Sequence, residues 1–267
     1  MSKPALLGIP LDSNSSFARG PALAPPKIRA AFHSDASNYW TETGVDLGPE
    51  GTFVDAGDLI FSSDDAAFTE VEDGILRQLE KRLCPISLGG DHSITFPIMR
   101  AIAHRYPQVT IVHFDAHPDL YDTFDGNQHS HACPFARILE EKLASRLIQI
   151  GLRTVNGHQR EQAQKFGVEQ YEMRALPPAK VLSLSGPIYV SFDLDVLDPA
   201  FAPGISHREP GGLSTREAIR YIHGIQGQIV GADIVEYNPT RDLDGITATT
   251  AAKILKEILG MVIGRNQ

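Results

Sequence analysis

Four apolar runs in this chain of 267 residues end in polar motifs. "CPISLGG" (84–90) leads into "DHS", and "VTIVHF" (109–114) into "DAHPDLYD". "PIYVSF" (187–192) leads into "DLDVLDP", and "QIVGADIV" (228–235) into "EYNP". Each run is nearly continuous in hydrophobicity, as in a strand buried on both faces. "ALLGIPL" and "LIQIGLRT" read as strands too. Between the runs lie helical patterns: "KIRAAF" after a Gly/Pro-rich loop, "SITFPIMRAIAHRY" with Ser93 as a possible N-cap, "FARILEEKLASR", "HQREQAQKFG", "STREAIRYIHGI" and the closing "TATTAAKILKEILGMVI". Strands of this kind separated by helices predict an α/β fold of three layers, α/β/α, around a mostly parallel central sheet. Ligands of such sheets bind beyond the carboxyl ends of the strands, where all four polar motifs fall. No linker divides the chain, so residues 1–267 are expected to form a single domain.

The net charge of -9 and the lack of a Lys/Arg cluster argue against a nucleic-acid surface. Two cysteines, Cys84 and Cys133, do not make a disulfide framework and suggest a reducing compartment. "MSKPALLGIPLD" has no long apolar segment followed by a cleavage site, and no stretch is apolar enough to span a membrane. These features predict a cytoplasmic protein with no membrane partner.

The polar motifs carry the chemistry. Side chains two residues apart in an extended segment point the same way. Asp115 and His117 can therefore share a target, as can Asp193 and Asp195. Asp119 can join them once the chain turns at Pro118, and His92 follows two glycines that let the backbone bend close. Four carboxylates at one sheet end repel strongly unless cations lie between them. Two divalent cations would cancel the charge, and a mixed Asp/His set suits Mn²⁺, Zn²⁺ or Fe²⁺. Such a pair, roughly 3.5–4 Å apart, makes a hydroxide near neutral pH. His113 is out of phase with Asp115 and reads as a packed or supporting residue. Asp91 reads as a brace for a ligand histidine or as a cap. Asp198 reads as a turn residue, and Asp122 as supporting or solvated.

With these residues in view, the sequence resembles the ureohydrolase family, the arginases, agmatinases and their relatives. The likeness extends from "NSSFARGPALAPPKIR" to "EYNPTRDLDGITATTAAKILKEI". It implies a hydrolase that uses two Mn²⁺ ions per subunit to cleave a guanidino carbon–nitrogen bond and release urea. It implies His92, Asp115, His117, Asp119, Asp193 and Asp195 as metal ligands, with Asp115 and Asp193 bridging. His92 and Asp119 would complete one site, and His117 and Asp195 the other. The family's proton-shuttling histidine aligns with His131 in "HSHACPF", with His129 as the competitor. Its guanidinium-binding glutamate aligns with Glu236 in "IVEYNP". A rival reading makes Cys133, two residues from His131, a thiol nucleophile. The family also implies a homo-oligomer, a trimer or a hexamer.

The details "GNQHSHACPFARI", "LDPAFAPGISHREPGGLS" and "GADIVEYNPTRDLDGITA" look most like the plant-type arginases. The expected reaction is therefore arginine to ornithine and urea, with agmatine to putrescine and urea as the alternative. Other guanidino compounds, formimidoylglutamate, or a non-catalytic metal-binding module follow. An arginase must read an α-carboxylate and an α-ammonium at the pocket mouth. Asn127, Gln128 and Ser130 are candidates, as are Arg153 and Arg208 for the carboxylate.

Overall fold

The apolar runs form strands, and the sheet they build places the polar motifs side by side. The computed structural model describes residues 3–178, 184 and 186–264. In chain order the main elements are β1 (Lys3–Gly8), α1 (Ala24–Phe32), β2 (Val54–Asp58), α2 (Ala67–Glu80), β3 (Leu83–Leu88), α3 (Thr95–Arg105), β4 (Thr110–Phe114), α4 (Pro134–Glu140), β5 (Arg146–Leu152), α5 (Gly157–Phe166), β6 (Glu169–Glu172), β7 (Pro187–Asp193), α6 (Thr215–Gly224), β8 (Gln228–Val235) and α7 (Ile246–Gly264). The strands form one sheet in the order β2-β1-β3-β8-β7-β4-β5-β6. Every pairing is parallel.

Successive residues of the inner strands feed two separate cores, as a doubly covered sheet requires. Leu6, Val112, Ile148 and Val190 pack with α1, α6 and α7 on one face. Leu7, Ile111, Leu147 and Tyr189 pack with α2, α3 and α4 on the other.

Local signals end most helices where the sequence suggests. Ser214 and Glu217 close a reciprocal capping box at the start of α6. Gly167 ends α5 at φ +68°. Two boundaries differ from expectation. The cap before α3 is Asp91, which opens a short 3₁₀ turn at His92–Ile94, and Ser93 donates to it. The "FARILEEKLASR" helix stops at Glu140, because the chain turns at Lys142 (φ +56°) to enter β5.

Candidate metal centre and active site

Strands β3, β8, β7 and β4 are consecutive neighbours in the sheet. Their carboxyl ends carry His92, Glu236, Asp193 with Asp195, and Asp115 with His117 and Asp119, so the motifs converge by topology alone. Gly90 makes the approach of His92 possible, since a Cβ there would lie 1.7 Å from the Leu11 carbonyl oxygen. Asp119 and Glu236 hold φ values of +49° and +64°. Non-glycine residues seldom adopt that region, and they concentrate at functional sites when they do.

Two sets of side chains meet at the strand ends. Nδ1 of His92 lies 3.1 Å from Asp115 Oδ2, 3.1 Å from Asp119 Oδ2 and 3.2 Å from Asp193 Oδ2. Nδ1 of His117 lies 2.9 Å from Asp195 Oδ2 and 3.3 Å from Asp115 Oδ1. Asp115 thus presents one oxygen to each set.

The donor chemistry fits divalent metal. Nε2 of His92 lies 2.9 Å from Ser191 Oγ. The one hydroxyl proton of Ser191 goes to Asp233 Oδ1 at 2.7 Å, so Ser191 accepts and His92 Nε2–H donates. Nδ1 is left as a buried lone pair without a hydrogen-bond partner, facing three carboxylate oxygens. Three carboxylate oxygens converging on one buried ring nitrogen favour positive charge between them, which a bound cation would supply. One imidazole nitrogen with three carboxylate oxygens is a donor set for a first-row divalent ion. Burial holds the Asp193 carboxyl well above the usual carboxylate range, and Asp195 and Asp115 push it further. Without cations, then, the cluster resists full ionisation.

His113 also lies within reach of His92 and Asp115 as a possible ligand. Its proton is committed elsewhere. The Gln149 amide nitrogen donates to the Pro118 carbonyl at 2.6 Å and to His113 Nδ1 at 3.0 Å. The ring proton is therefore on Nε2, which donates to Asp115 Oδ2 at 2.8 Å. His113 orients Asp115, as outer partners of metal ligands do. Phe135 packs against both His113 and His92.

A cavity of about 270 Å³ opens over the two sets. His117, Asp119, Asp193 and Asp195 line it together with His131 and Glu236. Glu236 Oε1 accepts the His92 backbone N–H (2.9 Å) and the His131 Nδ1–H (2.9 Å). Burial opposes a charge on His131, but the Glu236 carboxylate outweighs it and pushes the imidazole up to about 9. Nε2 of His131 lies 2.8 Å from Ser16 Oγ. Tyr121, Phe124, Thr154, Gln159 and His207 complete the lining. A larger cavity of about 480 Å³ at the β2 edge carries Asp58, Arg77 and Lys81, without a convergent set of donors.

Other sequence candidates lie elsewhere. Asn127, Gln128 and Ser130 do not line the cavity. Asn127 bonds Asn14 and the His129 N–H, and Ser130 Oγ accepts from Ala132 N. His129 is exposed and stacks on Phe96. Arg153 donates to backbone carbonyls that include Asp195 and Glu209, and Arg208 to those of Pro203 and Arg241. Both guanidinium groups therefore clasp backbone. Asp91 does not touch the His92 ring. Its oxygens take Ser93, the Asn14 N–H and Ser15 Oγ. Asp198 accepts from the Ala200 N–H of its own turn and from the Gly211 and Gly212 N–H groups of a later segment. Asp122 is exposed and pairs with His158. Burial pushes the Cys133 thiol up to about 12, so it is a poor nucleophile. Ser16, Gln159 and His207 had not been singled out, although Ser16 and His207 lie inside stretches that carry the resemblance. The Gln159 carbonyl oxygen is buried with no partner, a signal only the fold reveals.

The model of the Arginase family matches residues 2–260. Arginase 1, mitochondrial, of Arabidopsis thaliana is 46% identical over 275 residues, covering 97% of this chain and 80% of its own. The structure of arginase from Medicago truncatula has a TM-score of 0.92 at 42% identity, covering 98% of this chain and 87% of that one. The mitochondrial agmatinase of Gallus gallus is more distant, 35% identical with 97% and 81% covered. These names correct the expected cytoplasmic location, since the plant relatives are named mitochondrial or chloroplastic/mitochondrial. Free thiols and the lack of an apolar span are common to any reducing aqueous compartment, so they do not single out the cytosol.

Proposed function

The chain belongs to the arginase family, and from that premise we propose that it hydrolyses the guanidino carbon–nitrogen bond of L-arginine to give L-ornithine and urea. The observation that carries this reading is the pair of histidine–carboxylate sets opening onto a cavity that Glu236 and His131 also line. The greater identity to plant arginases than to agmatinase supports arginine over agmatine.

We assign His92, Asp115, Asp119 and Asp193 to one Mn²⁺ and Asp115, His117, Asp193 and Asp195 to a second. Bound there, the cations supply Lewis acidity that makes water nucleophilic near neutral pH. The chain's own residues do the rest. The second oxygen of the Glu236 carboxylate accepts N–H from the planar guanidinium, while Oε1 keeps the His92 and His131 hydrogens. His131, held protonated by Glu236, delivers a proton to the departing nitrogen. The buried lining excludes bulk water from those contacts. Asn127 and Ser130 act through the loop that carries His131.

The test is urea release from Mn²⁺-loaded protein with arginine, agmatine, guanidinobutyrate and guanidine assayed side by side. Turnover of arginine well above the others is expected. Preference for agmatine or a smaller guanidine would overturn the substrate, and metal-loaded protein silent on all four would overturn the activity.

A further inference from the structure

We propose that Ser16 is a positioning residue that fixes the ring of His131 and passes protons between that imidazole and the cavity. The proposal rests on the reading of His131 as the proton donor. Ser16 Oγ lies 2.8 Å from Nε2, on the side of the ring opposite Glu236, which lies 2.9 Å from Nδ1. With both nitrogens held, the ring cannot flip without breaking two hydrogen bonds. A line of hydroxyl, imidazole and carboxylate is also the geometry of hydrolytic triads. Here the hydroxyl serves as a proton conduit, because guanidino hydrolysis needs a proton delivered rather than an acyl acceptor.

The loop is built to bring Ser16 to this place. Asp12 accepts the Gly20 and Ala22 N–H groups at its far end. Asn14 N and Ser15 Oγ bond the buried carboxylate of Asp91, next to His92. The His131 backbone N–H donates to the Asn14 carbonyl at 3.1 Å. Asn238 and Ser206 hold the carbonyls of Arg19 and Ala18. The same loop is thus tied to His131 twice, once through backbone and once through the Ser16 side chain, which also lines the cavity.

The hydroxyl suits both states of the ring. Glu236 can only accept, so Nδ1 keeps its hydrogen throughout. In the neutral ring Nε2 accepts the Ser16 hydroxyl hydrogen. In the imidazolium Nε2–H donates to Ser16 Oγ, and the hydroxyl hydrogen turns to the cavity. Reprotonation moves the Ser16 proton to Nε2 while a cavity water gives one to Oγ, and that water is itself reprotonated from solvent. The hydroxyl is regenerated, and the net change is one proton from solvent to the ring.

Ser16→Ala and Ser16→Thr test this in the full-length metal-loaded protein. The alanine variant is expected to keep wild-type metal content and KM within about twofold. Its kcat should fall about 10-fold, less than the roughly 10²–10⁴-fold share of acid–base catalysis as a whole. Threonine should restore kcat, and added imidazole buffer should raise kcat of the alanine variant but not of wild type. Independently of turnover, ¹⁵N imidazole spectra should show the His131 Nε2 resonance shifted in Ser16→Ala. Unchanged kcat with an unchanged Nε2 resonance overturns the proposal. So does a loss that comes with lost metal or that threonine fails to recover, since Ser16 would then be loop structure alone. A wild-type protein without activity would refute the arginase reading, and the resonance shift would still decide the position of Ser16.

Discussion

A ring nitrogen that neither gives nor takes a hydrogen bond is costly in a dry interior, and His92 Nδ1 is one. The three carboxylate oxygens around it suit a cation, and that gives residue-level predictions. Asp115→Ala removes a residue that presents one oxygen to each set, so metal content by mass spectrometry and urea release should fall together. His131→Ala should leave the metal in place and slow turnover by roughly 10²–10⁴-fold. If metal is lost with His131, its role is structural. Glu236→Gln bears on the same pair. Burial lowers the affinity of His131 for a proton, and the Glu236 carboxylate is the main group that holds it up at about 9, with Asp91 and Asp119 adding to it. With the carboxylate gone, imidazole NMR of the metal-free variant should show His131 losing its proton at clearly lower pH. An unmoved titration would contradict the assignment of Glu236 as the holder of that proton.

At the scale of elements, the turn after β3 is where backbone and site are tied most tightly. Gly90→Ala would drive a Cβ into the Leu11 carbonyl. Denaturant unfolding should show a loss of about 3 kcal/mol, the upper end for overpacking a tight site. Gly157→Ala, at the start of α5 with nothing near the added methyl, should change stability by no more than about 1 kcal/mol. Equal costs at the two positions would refute the close-approach argument. The inner strands were legible because burial on both faces forces continuous hydrophobicity. The sheet's two edge strands, β2 and β6, were not: "VDAGD" is largely exposed and "EQYE" is half-buried throughout. Helix α2 carries a stripe at Ala67, Val71, Ile75 and Leu79 that its acidic and polar neighbours obscure. The metal-binding candidates were legible for a local reason, a two-residue spacing at strand ends. Ser16, His207 and Gln159 reach the cavity from loops and a helix that fold back over it, and no local spacing records that.

For the whole molecule, a cluster of buried carboxylates would couple folding to any cations bound between them. Ligand held by the native state alone stabilises it by about 2.7 kcal/mol at a hundred times its Kd. Chelation should therefore lower the melting temperature by several degrees, and Mn²⁺ should restore it. A melting curve indifferent to chelator would mean the cluster holds no ion. Among the described residues no helix is long and apolar enough to cross a membrane. Phe17, Leu23, Leu243 and Ile246 are exposed on the surface. Following the family, we propose a homo-oligomer, a trimer or hexamer by sedimentation velocity, and a monomer at micromolar concentration would refute it. The central claim is that two cations sit where His92 and His117 meet the shared carboxylate of Asp115. Anomalous diffraction from crystals of the Mn²⁺-loaded protein tests it most directly. Two peaks, one beside each histidine Nδ1 and both touching Asp115, are predicted. A single peak, or none at these side chains, would contradict the account.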